Sequence, residues 1–379
     1  MTDWTDSDTR HMQRALELAR KGQGLVEPNP MVGCVVVKAR RAVGEGFHRR
    51  FGGPHAERNA LRAAGQSARG ATAYVTLEPC SHTGKTPPCT DALIEARVGR
   101  VVAAMRDPNP LVAGRGLRRL RQAGIKVDVG LLRDDAVILN APFVKYHRLK
   151  RPYVILKWAQ SIDGKIATRT GDSKWITSRQ SRKAAHALRA RVDAVVVGVG
   201  TVIADNPRLT ARLAKPKRTA VRVVLDPRLR IPLDAALVRS AREIPTLIVT
   251  CKTTRRQTRD THSIAKRRRA LERAGCEVLP LRSNRSVILL GDLLDELHRR
   301  EHTNILVEGG GVTIGAFLQQ NLADEARVFV APSLIGGTQA PGPLQNIGPA
   351  AIAGRTRLSM TCITHHGPDL CYNVRIGGA

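Results

Sequence analysis

Apolar residues recur at helical spacing over residues 7–22, with Met12, Leu16 and Ala19 on one face, and predict an amphipathic helix. After the stiff Pro28-Asn29-Pro30 turn, the apolar run Met31–Val37 predicts a buried strand, and Val43–Phe47 a second, shorter one. Gly52-Gly53-Pro54 opens a helix over His55–Ala64, with the proline near its first turn. Ala73–Leu77 predicts a strand that delivers Pro79-Cys80 just past its end, and Thr90–Arg97 a helix with Cys89 at its start. Strand Val101–Met105, a helix over Gly116–Ala123, a short strand near Val127 and a helix over Leu131–Tyr146 complete an α/β layer.

The charged segment Tyr146-His-Arg-Leu-Lys-Arg-Pro152 interrupts this pattern, and beyond it the alternation restarts. Strands are expected at Tyr153–Ala159, Ala194–Gly198, Val221–Asp226, Thr246–Thr250, Glu277–Leu281, Asn304–Glu308 and Arg327–Ala331. Helices are expected at Ser178–Arg191, Gly291–Arg300 and Thr313–Gln320. A chain of 379 residues exceeds one ordinary core, so two α/β domains are expected, 1–148 and 149–379.

The net charge of +30 raises the question of nucleic acid, but the excess is spread out. Residues 1–150 carry 25 Lys and Arg against 14 Asp and Glu, net +11, which leaves +19 for the rest. The densest basic run, residues 251–273, lacks interleaved aromatics on which bases could stack. An arginine-rich solvated surface that draws in small anionic substrates fits better. No stretch approaches the roughly 18 consecutive apolar residues of a membrane span, and the N-terminus lacks the apolar centre of a secretory signal. Seven scattered cysteines form no disulfide framework, and the expected location is cytoplasmic.

The chemistry concentrates in His55-Ala56-Glu57, Pro79-Cys80 and Cys89. Singly, such a histidine is a solvated or capping residue, and such cysteines are small core side chains. Together they offer one imidazole and two thiolates, the three protein ligands of a catalytic zinc with an open position for water. Glu57 is then free to carry protons between that water and a leaving amine. His-x-Glu followed by Pro-Cys and a second cysteine resembles the zinc nucleobase deaminases, with one departure: eight residues, not two, separate Cys80 from Cys89. That insertion, Ser81–Pro88, is too polar and turn-rich for core. It reads either as a tolerated structural loop or as a substrate lid that aims Lys85 at a phosphate.

Pro-Cys-Ser-His-x-Gly-x-Thr-Pro-Pro-Cys at Pro79–Cys89 resembles the bifunctional deaminase/reductase family of riboflavin biosynthesis. Pro28-Asn29-Pro30, Gly46-Phe47-His48, Gly53–Glu57 and Asp107-Pro108-Asn109-Pro110 match the same family. The resemblance implies a cytidine-deaminase-like three-layer α/β/α domain that removes the 2-amino group of a phosphoribosylated diaminopyrimidinone. It implies zinc on His55, Cys80 and Cys89, catalysis by Glu57, and substrate contacts at Asn29, His48, Lys85, Asp107 and Asn109. Read without the family, Asn29 and Asn109 equally suit turns that need no ligand. His48 could face water at a strand end, and Asp107 could cap a local turn.

In the second half no complete Gly-x-Gly-x-x-Gly follows a strand; Gly198-Val199-Gly200 is half of one, with Ile203 where the third glycine would stand. Glu308-Gly309-Gly310-Gly311 lies between a predicted strand and helix, where backbone amides could meet a phosphate or simply turn the chain. The segments Lys157–Gly164, Gly171–Ser178, Gly200–Thr210 and Glu308–Gly311 resemble the reductase half of the same family, which is similar to dihydrofolate reductase in fold. The resemblance implies NADPH delivering hydride to C1′ of the phosphoribosyl group. Its site would be lined by Ala159, Trp175, Thr201, Asp205, Gly310, Gly311, Val312, Thr313, Ile314, Gly315 and Ala316. Ser173, Arg189, Leu209, Arg212 and Glu308 would hold the substrate, the two arginines as clamps on its phosphate. Alone, those arginines would count as surface residues, Asp205 as a cap and Trp175 as core.

The resulting expectation is a two-domain enzyme using Zn2+ and NADPH on a phosphorylated pyrimidine, without membrane or nucleic-acid partners, and homo-oligomeric as a dimer or tetramer. The alternative is a zinc deaminase acting on RNA bases with a non-catalytic second domain. The cysteine insertion and the missing aromatic-basic stripe stand against it.

Overall fold

The computed structural model describes residues 3–83, 87–110, 112–252, 261–284, 287–345 and 348–377. The chain divides into two compact units, Met1–Arg151 and Pro152–Ala379.

In the first unit α1 (Asp6–Arg20) precedes β1 (Gly33–Lys38), β2 (Arg41–Phe47), α2 (Ala56–Ala64), β3 (Thr72–Val75), α3 (Cys89–Glu95), β4 (Arg100–Ala103), α4 (Arg115–Gln122) and β5 (Lys126–Val129). Helices α5 (Arg133–Leu139) and α6 (Ala141–Leu149) close it. The sheet order is β2-β1-β3-β4-β5, antiparallel at β2-β1-β3 and parallel from β3 to β5. Alternation along β1 assigns the two faces. Cys34 and Val36 pack with Ala56, Ala60, Leu93, Leu117 and Leu120 from α2, α3 and α4. Val35 and Val37 pack with Met12, Ala15 and Leu16 of α1 and with Ala136, Phe143 and Val144. This is the expected three-layer α/β/α domain. Helix α2 lies unusually close on β2: a Cβ at Gly46 would fall 2.4 Å from the Ala56 carbonyl oxygen.

The single helix expected over Leu131–Tyr146 is broken in two at Asn140. The Asn140 side chain leaves the helix to grip Met31, accepting from its amide at 2.8 Å and donating to its carbonyl at 2.9 Å. Pro142 then starts the next helix, where its missing donor costs nothing.

The second unit begins with β6 (Tyr153–Ser161), α7 (Arg179–Arg189), β7 (Ala194–Gly198), α8 (Val199–Asp205), β8 (Val221–Leu225), α9 (Ala236–Arg239), β9 (Thr246–Cys251), α10 (Thr261–Arg273) and β10 (Glu277–Leu281). It continues with β11 (Ser283–Asn284), β12 (Val287–Ile288), α11 (Leu290–Arg299), β13 (Asn304–Glu308), α12 (Gly311–Gln319), β14 (Glu325–Ala331), β15 (Leu358–His366) and β16 (Asp369–Ile376). Nine strands form one sheet in the order β10-β9-β8-β7-β13-β6-β14-β16-β15, parallel as far as β14 and antiparallel in the last two. The core lies under β13, β6 and β7, with Phe317, Leu293, Leu294 and Leu297 packed on them.

The periodicity pattern does not announce α8, α9, α10, the β11–β12 ribbon or the β15–β16 hairpin. Helices α8 and α9 are only seven and four residues long. Strand β15 is exposed along nearly its whole length, so it carries no alternation to read. Its hairpin turns at Gly367, which has the left-handed φ of 67°. Of the basic run, residues 253–260 lie outside the described residues, Cys251 ends β9 with Lys252 after it, and 261–273 form α10. Among the described residues, no helix is long and apolar enough to cross a membrane.

Candidate active sites

Three separate chain segments build the first site. His55 is the N-cap of α2 in extended conformation, Cys80 lies in the loop after β3, and Cys89 is the first residue of α3 with Pro88 ahead of it. His55 Nδ1 is 3.5 Å from Cys80 Sγ and 3.3 Å from Cys89 Sγ. All three ligand atoms lie within 4.8 Å of one another. Zinc bonds to nitrogen and sulfur of about 2.0–2.3 Å, in tetrahedral directions, bring ligand atoms to about 3.5 Å apart. The imidazole and two thiols therefore fit zinc in donor chemistry and in spacing. Hydrogen bonding with the Cys89 thiol, against the opposing effect of burial, and further bonds from His55 and the Cys89 amide hold the Cys80 thiol down to about 4.

Glu57 follows in the first turn of α2 and is buried. Burial, then the charge of Cys80, pushes its carboxyl up to about 7, suited to both taking and giving a proton. His48 is buried with its ring edge-on to His55, the centroids 5.2 Å apart. Its Nδ1 is 3.2 Å from the Pro54 carbonyl, which can only accept, so Nδ1 carries the hydrogen. Nε2, 3.4 Å from the Asn29 side-chain amide, is then an acceptor. Asp107 accepts from the Asn109 amide at 2.8 Å, and burial pushes its carboxyl up to about 6, with Glu78 and Cys80 adding to the rise. Lys85 lies outside the described residues. Sequence reasoning passed over Glu78, an acid immediately before Pro79-Cys80 that is buried against backbone amides.

In the second unit the glycines of the incomplete fingerprint reappear on two strands. Gly198 ends β7 and Gly200 follows it, Gly309 to Gly311 follow β13, and β7 and β13 are neighbours. The Gly310 amide donates to Thr201 Oγ1 at 3.2 Å. Side chains are excluded here: a Cβ at Gly198 would lie 2.5 Å from Thr313 Oγ1, and one at Gly309 3.1 Å from Thr201 Oγ1, besides the φ of 148° at Gly309. Around Gly200 no heavy atom lies within 4 Å of a Cβ position. The result is an open cradle at the carboxyl ends of parallel strands and at the N-terminus of α12, which suits a dinucleotide phosphate. Within the expected run, Val312 is exposed and Thr313 faces Gly198, but the Ile314 side chain belongs to the core, so only its backbone can face a cofactor. Trp175 is 69% exposed, which excludes the core reading, and the Arg182 guanidinium stacks 4.4 Å from its ring centre. Asp205 ends α8 with its carboxylate 3.8 Å from Lys174 Nζ. Ala159 sits on β6 beside Phe329 of β14.

Arg189 donates from Nε to Glu308 Oε1 at 2.7 Å and from Nη2 to Oε2 at 2.5 Å. Nε and Nη2 of its guanidinium are thus paired with a carboxylate, while Nη1 lies 3.5 Å from the Thr210 carbonyl, on the side of Arg212. Arg212 keeps an exposed guanidinium, and Arg189 and Arg208 crowd it with positive charge, an environment that favours an anion. Leu209 is buried with a left-handed φ of 55°, and Ser173 is half-buried. Two residues here escaped the sequence reading. Lys157 is the cross-strand partner of Glu308, and burial depresses its pKa despite the neighbouring carboxylate. A lysine within the apolar run Val154-Ile155-Leu156 was the available signal. His186, one turn before Arg189 on α7, is pushed down to about 4 by burial and by Arg189 and Arg212.

Comparison with known proteins joins these two sites. Residues 5–105 match the cytidine and deoxycytidylate deaminase zinc-binding region, and residues 152–372 match the RibD C-terminal domain. A riboflavin biosynthesis protein RibD from Aquifex aeolicus is 46% identical over 89% of this chain and 90% of its own length. One from Escherichia coli is 42% identical over 97% of this chain and 99% of its own. The solved Acinetobacter baumannii RibD superposes with a TM-score of 0.83 at 38% identity, covering 98% of this chain and 99% of that one. The solved Thermotoga maritima diaminohydroxyphosphoribosylaminopyrimidine deaminase/5-amino-6-(5-phosphoribosylamino)uracil reductase gives 0.81 at 36% identity over the same shares. The RibD C-terminal domain over 152–372 and the full-length RibD relatives do not favour the alternative of a non-catalytic second half. With a zinc-fitting triad in one unit and a glycine cradle beside a buried Lys-Glu-Arg cluster in the other, the chain belongs to the RibD family of riboflavin biosynthesis, a bifunctional enzyme that is a zinc-dependent deaminase and an NADPH-dependent reductase.

Proposed function

We propose that residues 1–148 hydrolytically deaminate 2,5-diamino-6-(5-phosphoribosylamino)pyrimidin-4(3H)-one to 5-amino-6-(5-phosphoribosylamino)uracil. Residues 149–379 then reduce that product to 5-amino-6-(5-phosphoribitylamino)uracil. The observation that carries the reading is the convergence of His55, Cys80 and Cys89 with the buried Glu57.

His55, Cys80 and Cys89 would hold zinc, which would supply the Lewis acidity that lowers the pKa of a water from about 15.7 toward 7. Glu57 takes the proton of the attacking water and hands it to the leaving amine, so that ammonia departs. His48, oriented by Pro54 and Asn29, works with Asn29, Asp107, Asn109 and Lys85 to hold the pyrimidine nucleotide.

NADPH supplies the hydride that arrives at C1′. Thr201, Asp205, Ala159, Trp175 and the run Gly310–Ala316 would hold it, the Gly310 turn being fixed by its amide's bond to Thr201 Oγ1. Glu308 orients Arg189 and lies beside Lys157, and Lys157 provides the proton that the opening sugar ring takes up. Ser173, Arg189, Leu209, Arg212 and Glu308 hold the phosphoribosyl group. The enzyme acts in the cytoplasm as a homo-oligomer on this phosphorylated pyrimidine and does not act on nucleic acid.

The test is incubation of the purified protein with the diaminopyrimidinone phosphate, with and without NADPH, and identification of products by mass. A gain of about one mass unit without NADPH, followed by a gain of two with it, is expected, because water in and ammonia out exchange NH for O, and hydride plus proton adds two. Formation of a reduced but still diamino product would overturn the order.

A further inference from the structure

Glu78 stands between β3 and the Pro79-Cys80 ligand, and only 3% of it is exposed. Its carboxylate accepts four backbone N–H groups: Asp107 at 3.2 Å and Gly114 at 2.9 Å on Oε2, Gly116 at 3.0 Å and Leu117 at 3.3 Å on Oε1. Its own amide donates to the Met105 carbonyl at 3.0 Å. Gly116 and Leu117 lie in the first turn of α4, so the negative charge also meets the positive end of that helix. Buried amides left without an acceptor are costly, and here one carboxylate satisfies all four. Helix α4 rests directly on the peptide before Cys80, since a Cβ at Gly116 would fall 2.0 Å from the Pro79 carbonyl oxygen. The loop that Glu78 gathers in carries both Asp107 and Asn109.

We propose that Glu78 is a positioning residue of the deaminase: it fastens the Asp107–Asn109 loop and the start of α4 to the strand end that presents Cys80, and so fixes the separation between substrate contacts and metal ligands. This rests on the reading of Asp107 and Asn109 as substrate contacts. Glutamine has the same shape but turns an NH2 group toward two of the four donors, and aspartate is one methylene too short.

The test compares wild type, Glu78→Gln and Asn109→Ala for zinc content, deaminase KM and kcat, and reductase activity as a control for folding. For Glu78→Gln the deaminase KM should rise about tenfold or more and kcat stay within about threefold, with zinc content and reduction unchanged. Asn109→Ala should raise KM as well. A wild-type KM in Glu78→Gln beside a raised KM in Asn109→Ala overturns the positioning role and leaves the substrate reading intact. A wild-type KM in Asn109→Ala removes the reading on which the proposal stands. A fall in kcat and zinc content at constant KM also overturns it, because Glu78 would then act on Cys80. If Glu78→Gln does not fold, hydrogen exchange of the zinc-loaded wild type decides. The Asp107 and Gly114 amides should exchange slowly, and more slowly still with the deaminated product nucleotide bound; fast exchange in both states overturns the proposal.

Discussion

Arg189 and Glu308 form a bidentate ion pair inside the second unit, at 2.7 and 2.5 Å, with their side chains 16% and 8% exposed. A fork held this way orients a carboxylate beside Lys157 and leaves Nη1 on the Thr210 side. Breaking one side of a buried pair strands the other charge. Arg189→Ala should therefore lower stability by about 3–5 kcal/mol, read from denaturant unfolding of the second unit. A loss below about 1 kcal/mol, typical of surface pairs, would show that the pair is hydrated in solution.

Acid should weaken the first unit through Asp8. Burial works to raise its pKa, but hydrogen bonds from Thr5, Tyr74 and Arg100 outweigh that and hold it well below the usual carboxylate range. A depressed pKa contributes stability that is complete above the unfolded-state value of about 3.9 and disappears as pH falls through the lower native value. Asp8→Asn should flatten the acid limb of the stability curve, measured by circular dichroism between about pH 5 and 2. An unchanged acid limb would count against the network.

Glu57→Gln removes the proton carrier and leaves the zinc ligands in place. Deamination should drop by about two to four orders of magnitude, while NADPH oxidation on the deaminated intermediate continues at the wild-type rate. Chelation of zinc should reproduce this separation of activities. Loss of both reactions in a folded Glu57→Gln protein would contradict two independent sites.

The cradle predicts an effect confined to the cofactor. Gly198→Ala sets a methyl group against Thr313 Oγ1, where the available gap is 2.5 Å. NADPH binding, followed by the change in its fluorescence, should weaken by about tenfold or more, with deamination untouched. Thr201→Ala removes the acceptor of the Gly310 amide and should cost about two- to tenfold. Equal NADPH affinity in both variants would place the cofactor elsewhere.

Much of this site was legible along the chain because its residues are short-range neighbours of strong local signals. His55 and Glu57 share the first turn of a helix announced by Gly-Gly-Pro, and Cys80 and Cys89 flank one loop. Runs such as Met31–Val37 and Asn304–Glu308 declare buried strands through composition alone. The break at Asn140 was not legible, because its cause is a contact with Met31, 109 residues away. Nor was the C-terminal hairpin, whose outer strand buries almost nothing and so has no pattern to show.

The sequence by itself determined the zinc ligand set, the acid beside it and the two α/β domains, since residue type and local period decide those. Only the tertiary structure decided what meets across the sheet. It set Gly310 against Thr201, 109 residues earlier, turned the Arg189 fork onto Glu308, 119 residues later, and gathered four amides onto Glu78. Those pairings follow from the order β7-β13-β6 and from helices seated on strand ends, and a local periodicity carries no information about which strands lie side by side.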